Sequence, residues 1–157
     1  MDVGRLPDGV VADSPPRRVL ATDAARALLA EVRAVHGPVL FHQSGGCCDG
    51  SAPMCYPIGD FRIGERDVLL GEIDGAKVWI GGRQFVLWAH TQLILDAVPG
   101  RGASFSLEAP TGRRFLTRSR VFTPEEQARL PRARRGPEGR PAEEPEGPPP
   151  IVCVSDD

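Results

Sequence analysis

The chain has 157 residues and a mass of 16.9 kDa, enough for one domain with a real core and little more. Its 19 Lys+Arg against 21 Asp+Glu give a net charge of -2, which excludes a protein that holds nucleic acid mainly by charge. No apolar run approaches the ~20 residues of a membrane-spanning helix. Residues 1–16 carry no basic-then-apolar leader, so the expected compartment is the cytoplasm, with neither membrane nor nucleic acid as a partner. There, four cysteines are more naturally thiols, ligands or nucleophiles than disulfides.

Taken in chain order, residues 1–17 are loop-like, with Pro7, Pro15 and Pro16. Thr22 is placed to cap a helix, and Asp23 suits its positive end. Ala25, Leu28, Leu29, Val32 and Val35 recur at helical spacing until Gly37-Pro38 ends the run. Val39 to Gln43 reads as a strand. Strand-like runs follow at 67–73, 76–80, 84–88, 91–98, 103–108 and 115–122, separated by turn dipeptides. Asp74-Gly75 is the strongest hairpin signal among these, and Gly81-Gly82 reads as a turn with no helix after it. Phe105 and Leu107 alternate with Ser104, Ser106 and Glu108, the pattern of a half-buried strand. Thr123-Pro124-Glu125-Glu126 is a capping box opening a short final helix that stops at Pro131. The last 27 residues hold 7 of the 16 prolines and read as a disordered tail. The expected fold is α+β: an N-terminal amphipathic helix, a mostly antiparallel sheet and a short C-terminal helix. The expected globular unit is 18–130.

One segment looks chemical. His42-Gln43-Ser44-Gly45-Gly46-Cys47-Cys48-Asp49-Gly50-Ser51-Ala52-Pro53-Met54-Cys55 gathers three of the four cysteines within nine positions. Thiolates are the soft ligands of zinc, copper(I) and iron–sulfur clusters, and imidazole suits several of the same metals. On a metal reading Cys47, Cys48 and Cys55 are ligands, and His42 or His90 completes a four-coordinate set. Gly45, Gly46 and Gly50 shape the loop and let a cofactor approach the backbone. The pattern is not the usual two pairs of a structural zinc site, so two alternatives stand beside it. One is thiol chemistry, in which backbone N–H groups stabilise a thiolate and His90 is the base. The other is plain packing of small apolar side chains.

The remaining candidates are weaker. His90 at a strand edge is as readily structural as functional, and His36 beside Gly37 suits the helix C-terminus. Asp49 beside Gly50 reads first as a loop-capping acid. Arg113, Arg114, Arg118 and Arg120 gather in the last strand, either as a solvated edge or as a surface for an acidic partner. No Walker loop, G-x-S-x-G elbow, H-E-x-x-H or dinucleotide fingerprint is present, and no catalytic set is assigned.

Three segments together resemble a small bacterial family known only as a domain of unknown function, DUF779. They are Phe41-His42-Gln43-Ser44-Gly45-Gly46-Cys47-Cys48-Asp49-Gly50-Ser51, Pro53-Met54-Cys55, and His90-Thr91-Gln92-Leu93 through Pro99-Gly100-Arg101-Gly102. Phe105-Ser106-Leu107-Glu108 and Arg118-Ser119-Arg120-Val121-Phe122 fit the same family, so the likeness spans roughly residues 20–123. Members are often encoded beside aldehyde dehydrogenase genes. The resemblance therefore implies an accessory role in aldehyde or alcohol oxidation, with an aldehyde dehydrogenase as the expected partner. A fainter likeness is to A-type (IscA/HesB-like) iron–sulfur carriers, which also pass from helix to strand to a Ser-Gly-Cys loop. Their closing Cys-x-Cys pair is missing here; only Cys153 lies near that end.

Overall fold

Thr22 sits extended before the first helix and accepts the Ala25 N–H at 3.2 Å, while Gly37, at φ +78°, returns its own N–H to the Arg33 carbonyl. Between these caps runs α1 (Asp23–His36), as the spacing predicts. A computed structural model of the chain describes residues 15–43, 53–101 and 106–142. Ala25, Leu28, Leu29 and Val32 of α1 are buried, but Val35, expected on the same stripe, is 78% exposed. It falls in the last turn of the helix.

Before α1 lies a short strand that the sequence reading missed, β1 (Val19–Ala21). After it come β2 (Val39–Gln43), β3 (Met54–Pro57), β4 (Val68–Ile73) and β5 (Ala76–Ile80). Asp74-Gly75 turns β4 into β5, with both residues at positive φ. Then follow α2 (Gly82–Trp88), β6 (Thr91–Pro99), a single 3-10 turn at Ala109–Thr111, β7 (Arg113–Val121), α3 (Pro124–Arg129), β8 (Arg134–Arg135) and β9 (Arg140–Pro141). The strands form two sheets, β1-β6-β7 and β3-β2-β5-β4-β8-β9. Five of the seven pairings between these strands are antiparallel; β1 with β6 and β2 with β5 are parallel. The class is therefore α+β with a mostly antiparallel arrangement, as expected, although split over two sheets.

Both sheets face one apolar core. Leu93, Leu95 and Phe115 enter it from the first sheet, Phe41, Val78 and Ile80 from the second, and α1 covers it. Phe41 and Phe115 join the sheets edge to face, with ring centroids 4.9 Å apart.

Three expectations change. Residues 84–88 are helical, not a strand, because Phe85 and Trp88 three positions apart put both rings into the core. A run that short is ambiguous by periodicity alone. Gly82 accordingly opens a helix; a Cβ there would lie 2.6 Å from the Arg66 carbonyl oxygen, so close approach explains the glycine. Second, Ser106 to Glu108 is a turn leading into the 3-10 segment, and the rest of the expected strand at 103–108 lies outside the described residues. Third, the expected structureless tail contributes β8 and β9, which pair and extend the second sheet at β4. Ala133 and Ala142 are buried there, at 5% and 1% exposure. Its repeated Pro, Glu, Gly and Arg hid the pairing, because such a composition offers little apolar surface to bury.

No helix among the described residues is long and apolar enough to cross a membrane.

Candidate functional site: the roots of the cysteine loop

The cysteine segment is the connection between β2 and β3, so these two strands decide what its described members can do. They pair antiparallel with Phe41 opposite Cys55, His42 opposite Met54 and Leu40 opposite Tyr56. Directly opposed residues share a face, and successive ones alternate. Cys55 therefore lies with Phe41 on the core face, and His42 lies with Met54 on the other.

On the core face Cys55 is fully buried. Its backbone N–H donates to Ser106 Oγ at 2.9 Å, and Ser106 Oγ donates to Glu108 Oε2 at 2.7 Å. The Cys55 carbonyl accepts the Leu107 N–H at 3.0 Å, so the two segments are tied twice. Burial, helped by the Glu108 carboxylate, pushes the Cys55 thiol up to about 12. Burial likewise raises the Glu108 carboxyl, against the opposing pull of the Ser106 hydroxyl. A thiol pushed up this far is a poor nucleophile at neutral pH, and its burial beside Phe41 is that of a small apolar side chain.

On the outer face the His42 side chain is 6% exposed, and its Nε2 lies 2.9 Å from Asp67 Oδ1. Asp67 is itself fixed, since its Oδ2 accepts the Gly64 N–H at 2.8 Å. Phe61 lies against the His42 ring at 4.7 Å and stacks on Tyr56 at 4.8 Å. Trp79 of β5 is the register neighbour on the far side. The result is an imidazole held by a carboxylate inside an aromatic enclosure, five residues before Cys47.

These positions separate the described members of the expected ligand set. His42 and Cys55 stand on opposite faces of one hairpin and do not converge. His90 precedes β6 in the other sheet; its carbonyl accepts the Phe122 N–H at 2.9 Å, and its buried Nε2 has no partner among the described residues. No group of three or more His, Cys, Asp or Glu able to hold a metal occurs among the described residues. Gly45, Gly46, Cys47, Cys48, Asp49 and Gly50 lie outside them.

The arginine strand also resolves. Arg113 pairs with Glu31 of α1, Arg118 with Asp96 at 2.9 Å, and Arg120 with Glu126 at 2.7 Å. β7 is the edge of its sheet, and these pairs tie it to α1, β6 and α3. The Arg120 guanidinium holds the Glu126 carboxyl down at about 2. Burial works against the Asp96 charge, but bonds from Thr22, Arg118 and the Ala97 N–H bring its carboxyl below the usual value. Three of the four arginines thus pair with the chain's own carboxylates.

The model of the family described as Domain of unknown function (DUF779) matches residues 28–121. The chain belongs to the DUF779 family. No curated protein and no solved structure matches it. The matched span runs from α1 to the end of β7 and so contains both roots of the cysteine loop. Sequence reading missed Asp67, Phe61, Ser106 and Glu108. Asp67 passed as the first residue of the strand-like run at 67–73. Ser106 and Glu108 passed as the wet side of a strand, although both are buried, at 3% and 1% exposure, while Leu107 between them is only partly so. The Ala-Pro pair at 109–110, which breaks a strand, was the available signal.

Proposed function

We propose that this DUF779 protein is an accessory factor of aldehyde or alcohol oxidation that works through Cys47 and Cys48. On this reading the two thiols, with the His42 imidazole, bind a soft metal (zinc, copper or an iron–sulfur species). The observation that carries it is the His42–Asp67 contact of 2.9 Å at the root of the loop. Metal-ligating histidines characteristically bond a carboxylate through their other ring nitrogen, which fixes the ring and raises its basicity. The carboxylate-held ring supports His42 as the described ligand, and the core-facing position of Cys55 and the separate sheet of His90 set them apart from it. A bound metal of this kind would supply Lewis acidity or electron transfer. The chain's own residues supply thiolates, an oriented ring and an aromatic wall at Phe61 that limits water. An aldehyde dehydrogenase as partner follows from the family resemblance, and a cytoplasmic setting keeps the thiols reduced.

The same histidine contact favours a second reading, a cysteine-dependent redox or aldehyde-handling enzyme with His42, rather than His90, as the oriented base. A metal-free interaction module is the third, and the internal pairing of Arg113, Arg118 and Arg120 counts against the arginine strand as its surface.

Elemental analysis and an absorption spectrum of anaerobically purified protein decide among them. Metal that is lost in the C47S/C48S double variant and in His42→Ala, but kept in Cys55→Ser and His90→Ala, is the expected result. Metal content unchanged in C47S/C48S overturns the metal reading. Metal-free protein with a thiol that alkylates well below the ordinary ~8.5 supports the enzyme instead.

A further inference from the structure

Away from the cysteine loop, the segment before β1, the first half of β4 and the segment entering β8 enclose a cleft of about 310 Å³, lined by residues 15–18, 69–71 and 131–134. That volume is at the lower end of the ~300–1,000 Å³ typical of small-molecule sites. Four arginines line it, Arg17, Arg18, Arg132 and Arg134, and no acidic residue does. In a chain with nearly balanced charge this concentration is local.

The bonding of these arginines differs from that of the others. Arg26, Arg113, Arg118, Arg120 and Arg140 each pair with a carboxylate. In the cleft, Arg17 donates to the Glu72 carbonyl at 2.7 Å and Arg132 to the Ala142 carbonyl at 3.1 Å. Arg18, only 7% exposed, donates to the Ala89 and Pro131 carbonyls and lies over the Phe85 ring at 5.3 Å. Backbone carbonyls orient a guanidinium without cancelling its charge. Among the described residues Arg17, Arg132 and Arg134 have no carboxylate partner. Arg134 is exposed and stands opposite Leu69 in the β4–β8 pairing, which puts the two on one face. Leu69 and the prolines at 15, 16 and 131 supply an apolar wall beside the charges, while Leu70 turns into the core.

We propose that this cleft is a binding site for a small organic carboxylate. Its ionised head sits on the arginine fork chemistry of Arg17, Arg132 and Arg134, and its short hydrocarbon chain lies along Leu69 and the neighbouring prolines. Guanidinium forks match a carboxylate two-to-two, and the apolar wall rewards a tail that a bare inorganic anion lacks. The inference does not depend on the cysteine loop and stands or falls separately from the reading given for it.

Calorimetric titration of the full chain at low ionic strength tests it, with hexanoate as the probe. Acetate and inorganic phosphate serve as charge without tail, and hexanol as tail without charge. Hexanoate is expected to bind about tenfold tighter than acetate, because part of its extra methylenes leave water. Arg134→Gln and Arg17→Gln, each checked for native circular dichroism, are expected to weaken hexanoate about tenfold through loss of a charged hydrogen bond. Arg118→Gln, remote from the cleft, leaves binding unchanged. Absence of hexanoate binding overturns the proposal. So does equal affinity for acetate, phosphate or hexanol, and so does unaltered hexanoate affinity in both cleft variants.

Discussion

On the inward face of the β2–β3 hairpin, fully buried Cys55 is tied to Ser106 and Glu108 and lies opposite Phe41. One residue away, on the outward face, His42 meets a carboxylate that is 17% exposed and two stacked rings. The two faces carry the same raw materials, a heteroatom side chain and an acid, yet their environments drive opposite chemistry. Inside, burial raises both the acid and the thiol; outside, partial exposure and backbone support leave Asp67 able to orient an imidazole. Solvent access, more than residue type, separates a structural polar cluster from a chemical one.

The largest contrast this predicts is in reactivity. With its thiol pushed up to about 12, Cys55 has about a thousandfold less thiolate at neutral pH than an ordinary cysteine near ~8.5. Iodoacetamide on the native protein, read by peptide mass spectrometry, should spare Cys55 until urea unfolds the chain. Labelling of native Cys55 at the rate of a free thiol would erase the distinction between the faces.

Next in size is the cost of breaking the inward cluster. Ser106→Ala removes the acceptor of the buried Cys55 N–H and the donor to Glu108, and about 1–3 kcal/mol of stability should go with them, measured by urea unfolding. Glu108 adds a pH signature of known sign. Its carboxyl is raised in the fold by burial, so the protonated form is the one the fold prefers. The stability it contributes is full below the unfolded value of ~4.3 and is lost as pH rises through the raised folded value. Glu108→Gln keeps the shape without the ionisation. Its urea midpoint should therefore fall less than the wild type's between about pH 4 and about pH 8. An unchanged slope would mean that Glu108 is ionised in the fold and that the inward face is wetter than its burial indicates.

Much of the frame was legible beforehand because local signals decided it. The Thr22 cap, the Asp74-Gly75 hairpin, the Thr123–Glu126 capping box and the β6–β7 strands all follow from backbone chemistry within a few residues. What failed depended on distant partners. Residues 84–88 became a helix because the core wanted Phe85 and Trp88 on one side. Residues 134–141 became a hairpin because β4 offered an edge. The site was half legible for the same reason. The loop's cysteines and histidine stand out in sequence, but the register that sends Cys55 inward and His42 outward exists only once β2 and β3 have paired. Nor does any local pattern bring Asp67, 25 residues on, to the imidazole.

That long-range contact gives the smallest stability effect and the sharpest test of the outward face. Asp67→Asn keeps the volume and an oxygen that can still accept the Gly64 N–H, and removes only the charge facing His42. His42 is buried but Asp67 keeps some solvent access, so the loss should be about 1 kcal/mol, the low end for a buried hydrogen bond. If the contact merely braces the fold, nothing else should change. If it orients the ring for chemistry, metal content or thiol reactivity should shift in Asp67→Asn with the fold nearly intact, since carboxylate partners of a ligating histidine typically matter by about 10–100-fold. His42→Ala should then reproduce that shift, and the double variant should add little to it, because both substitutions disable one ring.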